Sequence, residues 1–231
     1  MFGYIKSFLG LSKKDWQDAP NETIAKALGK TLFTVANDLH IGSKYQDNEN
    51  AIIDLAFLQN NGFTVLNGDI FDPRCCSESS VQYVREAILF SIDKFGEYYR
   101  MGNHEAWEGY LLCKKPIHYS PLVIRSNGKN IGFSHGDLIS DFKKWLKYRM
   151  KKHGSNKFKL LVTDFLDDLD HLKAMRPLPK KFLPNAYEYC LKYDLDILVC
   201  GHFHPEAERR YFYKDKEIVI LPAHKINKVW L

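Results

Sequence analysis

Short runs of apolar residues alternate along this chain with longer stretches in which apolar side chains recur at helical spacing. The short runs are typical of β-strands and cover residues 31–36, 63–66, 98–101, 130–133 and 196–200. Between the first three runs, residues 50–60 and 79–95 carry apolar side chains on one helical face. This alternation of strand and helix predicts an α/β domain with a parallel or mixed sheet.

Two hairpins interrupt the alternation. Residues 123–124 and 131–133 flank Asn127-Gly128, a dipeptide that favours a type I′ turn between antiparallel strands. A similar pair of strands is predicted over residues 209–213 and 217–221. The domain is therefore expected to combine parallel and antiparallel strand pairs.

A long segment between the fourth and fifth predicted strands differs from the rest of the chain. Residues 141–152 and 157–175 both carry apolar side chains at helical spacing, and the last of several prolines that end the segment is Pro184. The pattern predicts a helical insertion over residues 138–190. Such an insertion would form a lid beside a site built from the neighbouring loops.

The first half of this insertion is basic and the second half is acidic. Lys143 and Lys147 are therefore candidate substrate-binding residues for an anionic group or a membrane surface. The alternative is a charged helix face that contacts only solvent.

Composition places the chain among globular proteins of one domain. It has 231 residues, of which 45% are hydrophobic and 26% charged, and the formal net charge is +5. The five cysteines are odd in number and form no C-x-x-C motif, which favours a reducing, cytoplasmic compartment. We therefore expect a single domain over residues 1–231, of which residues 1–30 form an N-terminal extension.

That extension is not a signal peptide, because Lys6 interrupts its short apolar run. If residues 2–9 are helical, Phe2, Ile5 and Phe8 share an apolar face. This face would either touch a membrane surface peripherally or pack against the domain.

Each of the five predicted strands is followed, within a few positions, by residues whose side chains can bind metal ions. The set contains two carboxylates, one amide and four imidazoles, namely Asp38, His40, Asp69, Asn103, His135, His202 and His204. Side chains at the carboxyl ends of strands in an α/β sheet are placed where ligands bind. Seven nitrogen and oxygen donors are too many for one ion and suit two adjacent borderline divalent ions.

These residues stand in five motifs that occur in a recognisable order. The motifs are Asp38-Leu39-His40, Gly68-Asp69-Ile70-Phe71-Asp72, Gly102-Asn103-His104-Glu105, His135-Gly136 and Gly201-His202-Phe203-His204. In this order they resemble the calcineurin-like metallophosphoesterase superfamily over roughly residues 31–222. The resemblance implies an α/β (α+β) fold, a two-sheet αββα sandwich flanked by helices.

The resemblance also implies which residues hold which of two divalent ions. It assigns Asp38, His40 and His204 to one ion. It assigns Asn103, His135 and His202 to the other, with Asp69 bridging the two. Mn²⁺ is the first choice, with Fe, Zn, Ni and Co as alternatives. A hydroxide that bridges the ions would then attack phosphorus in line.

Three further residues of the motifs have implied roles near these ligands. His104 follows a ligand and is expected to act as a general acid on the leaving oxygen or to clamp the phosphate. Asp72 and Asp137 are expected to hydrogen-bond the ligand loops instead of binding metal.

The helical insertion, together with three of the motifs, looks similar to the bacterial UDP-2,3-diacylglucosamine pyrophosphatase branch, whose members cleave a nucleotide diphospho-lipid at a membrane surface. That branch usually has Arg where this chain has His104, and Gly102-Asn103-His104-Glu105 is closer to the Ser/Thr phosphatase and dinucleotide tetraphosphatase branches. The predicted function is hydrolysis of a phosphodiester, phosphomonoester or pyrophosphate bond in a phosphorylated small molecule or nucleotide. The alternatives are a nuclease acting on nucleic acid, a dinucleotide polyphosphate hydrolase, and a non-catalytic scaffold.

Overall fold

The computed structural model describes residues 31–43, 48–60, 62–72, 78–104, 120–137, 139 and 178–231. The predicted N-terminal extension over residues 1–30 lies outside the described residues. So does most of the predicted lid, including Lys143 and Lys147. Among the described residues, no helix has the length and apolar character needed to cross a membrane.

Nine strands and three α-helices occur in the described part of the chain, with a single 3₁₀ turn at Gly96–Tyr98. In chain order they are β1 (Leu32–Asn37), α1 (Asn48–Phe57), β2 (Thr64–Asn67), α2 (Glu78–Phe95), β3 (Tyr99–Arg100), β4 (Leu122–Ser126), β5 (Lys129–Phe133), α3 (Phe182–Tyr193), β6 (Ile197–Cys200), β7 (Arg209–Tyr213), β8 (Lys216–Ile220) and β9 (Lys225–Trp230). All five strands and both early helices predicted from the apolar pattern are present, with small differences at their ends.

The strands form two mixed sheets. The first has the order β3-β2-β1-β9, in which β1, β2 and β3 are parallel and β9 is antiparallel to β1. The second has the order β4-β5-β6-β8-β7, in which β5, β6 and β8 are parallel and the two outer strands are antiparallel to their neighbours. The predicted two-sheet α/β fold is therefore confirmed.

Side chains of the central strands alternate between two apolar layers. In β2, Val65 packs between the sheets, whereas Leu66 packs against residues of α1 and α2. In β6, Val199 packs between the sheets, whereas Leu198 packs under α3. Both faces of these strands are buried, which explains why their sequences are continuous apolar runs. The resulting layers are helix, sheet, sheet and helix.

The two predicted hairpins are present. Asn127 and Gly128 have φ angles of 51° and 76° between β4 and β5. Positive φ at both central residues defines the predicted type I′ turn. In the second hairpin, Tyr213 lies opposite Lys216, so the turn between β7 and β8 contains only two residues.

Helix α3 and strand β9 were not predicted from the sequence. Pro184 indicated the end of a segment, yet it lies in the first turn of α3, where a backbone N–H has no intrahelical partner to lose. The helix buries Phe182, Ala186 and Cys190 against the second sheet. Residues 182–190 of the predicted lid therefore belong to the helix layer that covers this sheet.

A buried amide joins the two sheets where β2 ends. Asn67 Nδ2 donates to the backbone oxygens of Ser134 and Val199, both at 3.3 Å, and Asn67 is fully buried. Ser134 follows β5 and Val199 lies in β6, so one side chain of the first sheet bonds to two neighbouring parts of the second. Buried hydrogen bonds of this kind fix the relative position of two layers.

We expect Asn67→Asp to lower the free energy of unfolding by about 1–3 kcal/mol at pH 7, measured by urea unfolding. The ionised side chain has the same shape but cannot donate, and its charge would face two carbonyl oxygens. The matched control is Asn60→Asp, which removes an exposed bond of 3.0 Å to the backbone oxygen of Lys94 and should cost less than about 0.5 kcal/mol. Equal losses in the two variants would contradict the role given to Asn67.

Candidate metal centre

The five motifs lie in the loops that follow β1, β2, β3, β5 and β6, and backbone hydrogen bonds join several of these loops. The Asp38 N–H donates to the Gly68 oxygen at 2.9 Å, and the Gly201 N–H donates to the His135 oxygen at 3.0 Å. The first bond joins two loops at the end of the first sheet, and the second bond joins two loops at the end of the second sheet. The His202 N–H then donates to both carboxylate oxygens of Asp38, at 2.9 and 3.1 Å, across the two sheets.

A first group of potential ligand atoms comes from Asp38, His40 and His204, and these atoms all lie within 4.8 Å of one another. His204 Nε2 is 3.0 Å from Asp38 Oδ1. Asp38 is fully buried, and the side chain of His40 is 1% exposed. These are the three residues that the sequence resemblance assigns to one ion.

A second group comes from Asp69, His135 and His202, whose ligand atoms also lie within 4.8 Å of one another. His135 Nε2 is 3.0 Å from Asp69 Oδ2 and 3.9 Å from Asp38 Oδ1, so its ring reaches towards both carboxylates. Asn103 lies in the turn after β3. The next residue, His104, donates its backbone N–H to Asp69 Oδ1 at 2.7 Å. The structure thus brings both predicted ligand sets to one end of the two sheets.

Most of these residues have a backbone conformation that L-amino acids rarely adopt. Positive φ angles occur at Asp38 (50°), His40 (51°), Asp69 (50°), His202 (69°) and His204 (46°). Left-handed conformations at residues other than glycine cost free energy and concentrate at functional sites. The loops therefore keep a strained shape that aims several polar side chains at the same small volume.

Two motif glycines are required by the close approach of the carboxylates. A Cβ atom at Gly102 would lie 2.2 Å from Asp69 Oδ1, and a Cβ atom at Gly201 would lie 2.2 Å from Asp38 Oδ2. Both distances are far shorter than a van der Waals contact. The glycines that precede Asn103 and His202 thus leave the space into which the two aspartates project.

His104 is oriented by Asp72. His104 Nδ1 is 2.9 Å from Asp72 Oδ2, and Asp72 is fully buried. The other ring nitrogen, Nε2, is 3.8 Å from Asp69 Oδ2, and the ring centroid is 4.6 Å from that of His40. Ligand atoms of His40, Asp69 and His104 form a third group within 4.8 Å, so His104 lies beside the predicted ligands of both ions.

Two predicted supporting carboxylates are buried in this region. Asp72 lies 3.5 Å from His40 Nδ1 in addition to its bond with His104. Asp137 is 8% exposed, and its charge contributes to the environment of His135. Both positions suit residues that orient a ligand loop from outside the group of ligand atoms.

The carboxylates of Asp38 and Asp69 are stabilised in their charged form. Burial favours the neutral acid, but neighbouring imidazoles outweigh it and hold the pKa of each aspartate well below its usual range. His135 is the largest of these favourable influences at both aspartates. The centre therefore contains two buried negative charges side by side.

The imidazoles respond in two different ways. Burial lowers the pKa of His202 to about 3 and that of His40 to about 4, so both rings are neutral near pH 7. Burial also opposes the charged form of His135, but Asp69 and Asp38 outweigh it and raise the pKa of this residue well above its usual range. Neutral imidazoles are the form that binds metal ions.

The donor set fits divalent metal ions. His135 Nε2 is buried and makes no hydrogen bond of normal geometry, while Nδ1 of the same ring is 3.3 Å from the Asn67 backbone oxygen. A ring held through Nδ1 presents Nε2 as a ligand atom, which is the usual arrangement at metal-binding histidines. Mixed imidazole and carboxylate donors suit Mn, Fe, Zn, Ni and Co ions.

His224 was not predicted to belong to the site, because this residue has no motif around it. The structure places its ring centroid 5.7 Å from that of His40 and 5.3 Å from that of His204. A signal was nevertheless present, since His224 follows the apolar run of β8 much as the motif residues follow their strands. Lys143 and Lys147 lie outside the described residues, and their role in substrate binding stays a prediction.

Comparison with solved structures gives distant similarities. One example is a predicted phosphoesterase from Streptococcus pneumoniae TIGR4, with 11% identity, a TM-score of 0.40, and coverage of 84% of this chain and 73% of that chain. Vps29 from Cryptosporidium parvum has 15% identity and a TM-score of 0.39, with 84% of this chain and 75% of that chain covered. A protein of unknown function from Aquifex aeolicus has 15% identity and a TM-score of 0.39, with 85% of this chain and 95% of that chain covered. At these TM-scores the similarities carry no argument about function. No curated protein matches the chain in sequence.

Comparison with protein families gives one match that covers most of the chain. The pattern of the calcineurin-like phosphoesterases matches residues 31–206, which include all five motifs and both groups of ligand atoms. Because this match spans well over half of the sequence, the chain belongs to the calcineurin-like phosphoesterase family.

Proposed function

We propose that the protein is a metal-dependent hydrolase that cleaves a phosphodiester, phosphomonoester or pyrophosphate bond with two divalent ions. The observation that carries the proposal is the pair of ligand groups, Asp38, His40 and His204 on one side and Asp69, His135 and His202 on the other. His135 Nε2 lies within 3.0–3.9 Å of both aspartates, so the groups adjoin. Family membership supports the same chemistry.

In this proposal each group would hold one ion, with Asp69 as a ligand of both ions and Asn103 as a further ligand of the second. Two divalent ions in this position would supply Lewis acidity and lower the pKa of water enough to make hydroxide available near neutral pH. Mn²⁺ is the first ion to test, followed by Fe, Zn, Ni and Co.

His104 is the proposed proton donor to the leaving oxygen. Its Nδ1 is held by Asp72, so the ring cannot turn freely and Nε2 is directed towards Asp69. The side chain is 11% exposed, so the ring is largely shielded from water while it can still meet a substrate. A general acid positioned in this way contributes about 10²–10⁴-fold in rate.

The substrate is proposed at two levels of detail. The site supports a phosphorylated small molecule or nucleotide, and the resemblance in sequence makes UDP-2,3-diacylglucosamine a specific candidate. Two other candidates are a dinucleotide polyphosphate and single-stranded nucleic acid. A lid formed by the part of residues 138–190 that precedes α3, and peripheral contact with a membrane, would both suit a lipid substrate. Five cysteines, of which Cys190 and Cys200 are free and buried, support a reducing cytoplasmic location.

The test of the proposed function is hydrolysis in the presence of Mn²⁺. Bis-p-nitrophenyl phosphate and p-nitrophenyl phosphate report diester and monoester cleavage. UDP-2,3-diacylglucosamine, a dinucleotide tetraphosphate and single-stranded DNA report the specific candidates, with products identified by ³¹P NMR or electrophoresis. A protein that binds two Mn²⁺ ions but cleaves none of these substrates would support the non-catalytic scaffold.

Asp69→Asn is expected to lower hydrolysis by more than about 100-fold, because even residues that only support a metal ligand contribute about 10–100-fold. The amide keeps the shape of the side chain but cannot share a negative charge between two cations. Elemental analysis should show fewer than two ions per chain. The matched control is Asp54→Asn, an exposed position in α1, which should keep both activity and metal content. Normal turnover of Asp69→Asn at saturating Mn²⁺ would show that the two-ion assignment is wrong.

His104→Ala is expected to lose more activity on a substrate with a poor leaving group than on one with a good leaving group. Phenyl phosphate should lose about 10²–10⁴-fold, whereas p-nitrophenyl phosphate should lose less because its leaving group needs little protonation. The measurement is kcat for each of the two esters in wild type and variant, so the two losses are compared within the same variant. Equal losses would favour phosphate clamping instead of proton donation. Loss of bound metal would make His104 a ligand, as the third group of ligand atoms allows.

A further inference from the structure

The loop between β8 and β9 carries His224 and is held by buried amides. Asn37 Nδ2 and Asn227 Nδ2 each donate to the backbone oxygen of Pro222 at 3.2 Å. The same Asn37 nitrogen lies 2.7 Å from Asp38 Oδ2. The amide that fixes this loop therefore also bonds to a carboxylate of the metal centre.

The backbone of His224 is tied to the centre more directly. Its N–H donates to the backbone oxygen of Asp38 at 3.0 Å, and its φ angle is 60°. A left-handed histidine is uncommon, and such strain persists where the surrounding structure determines the conformation. His224 shares this feature with Asp38 and His40, so its backbone is held in the same conformation as theirs.

The side chain of His224 is exposed, and it adjoins the centre without joining either ligand group. Its ring centroid is 5.7 Å from that of His40 and 5.3 Å from that of His204. Among the described residues, the groups of ligand atoms within 4.8 Å of one another do not include His224. An imidazole in this position lies beside the side chains proposed to hold one ion, where it can face a molecule that approaches from solvent.

We propose that His224 binds a phosphoryl oxygen of the substrate on the side of Asp38, His40 and His204. This inference rests on the proposed function, since the substrate is an anionic phosphate ester. An imidazole N–H donates well to a phosphate oxygen, and a bond to a charged oxygen is among the stronger hydrogen bonds. His104 and His224 both adjoin His40, so the substrate would meet two imidazoles that are not predicted ligands.

The test compares inorganic phosphate binding by the Mn²⁺-loaded wild type and His224→Gly, measured by isothermal titration calorimetry. Glycine removes the imidazole and adopts the φ angle of this position without strain, so the fold should be kept. Loss of one hydrogen bond to a charged group should weaken phosphate binding by about 10- to 100-fold. The Mn²⁺ content, measured by elemental analysis, should stay the same. KM for bis-p-nitrophenyl phosphate should rise.

The matched control is Lys225→Ala, which removes a positive charge from the next residue, also exposed, and should leave phosphate affinity unchanged. The inference would be overturned by unchanged phosphate affinity in His224→Gly, by an equal loss in Lys225→Ala, or by a Mn²⁺-loaded wild type that does not bind phosphate. Reduced Mn²⁺ content in His224→Gly would overturn it as well, because the residue would then support the metal. A wild type that binds phosphate but hydrolyses no ester contradicts the proposed function alone, and phosphate affinity still decides the role of His224.

Discussion

Two buried carboxylates beside each other are the constraint on which the rest of this structure depends. Asp38 and Asp69 are at most 1% exposed, and burying a charge without partners costs several kcal/mol. The surroundings compensate with donors: the His202 N–H and the Asn37 amide reach Asp38, and the His104 N–H reaches Asp69. The imidazoles complete this environment. The loops at the ends of five strands thus surround two buried negative charges, an environment that favours cations.

The backbone around these carboxylates lets the loops approach them closely, and this conformation costs local stability. Gly102 and Gly201 remove the atoms that would collide with the aspartate oxygens, and the ligand residues themselves take left-handed conformations. Each departure from ordinary backbone geometry costs about 1–3 kcal/mol. The continuous apolar layers on both faces of β2 and β6 offset this cost, because they supply burial that the loops do not. The well-packed strands therefore stabilise a fold whose loops are strained.

The sequence predicts the features that have a local signal. Runs such as residues 196–200 have the length and β-branched composition of a buried strand, and Asn127-Gly128 favours only a few turn types. Helix α3 was missed because Pro184 resembles a helix end, and only packing against the second sheet shows that it lies in a first turn. Strand β9 was missed because Lys225, Asn227 and Lys228 dilute its apolar pattern. His224 has no motif around it, and its neighbours His40 and His204 are far away in sequence.

The imidazoles of the site differ in charge state, and this difference bears on how the buried carboxylates are balanced when no metal is bound. His135 Nε2 lies 3.0 Å from Asp69, and its raised pKa makes it the positive partner of the buried carboxylates. His40 and His202 are held neutral by burial, so they add no repulsion to that pair. The pair of Asp69 and His135 thus balances part of the buried negative charge with groups of the protein itself. A divalent ion held by these residues would displace the proton of His135, because a metal-binding imidazole is neutral.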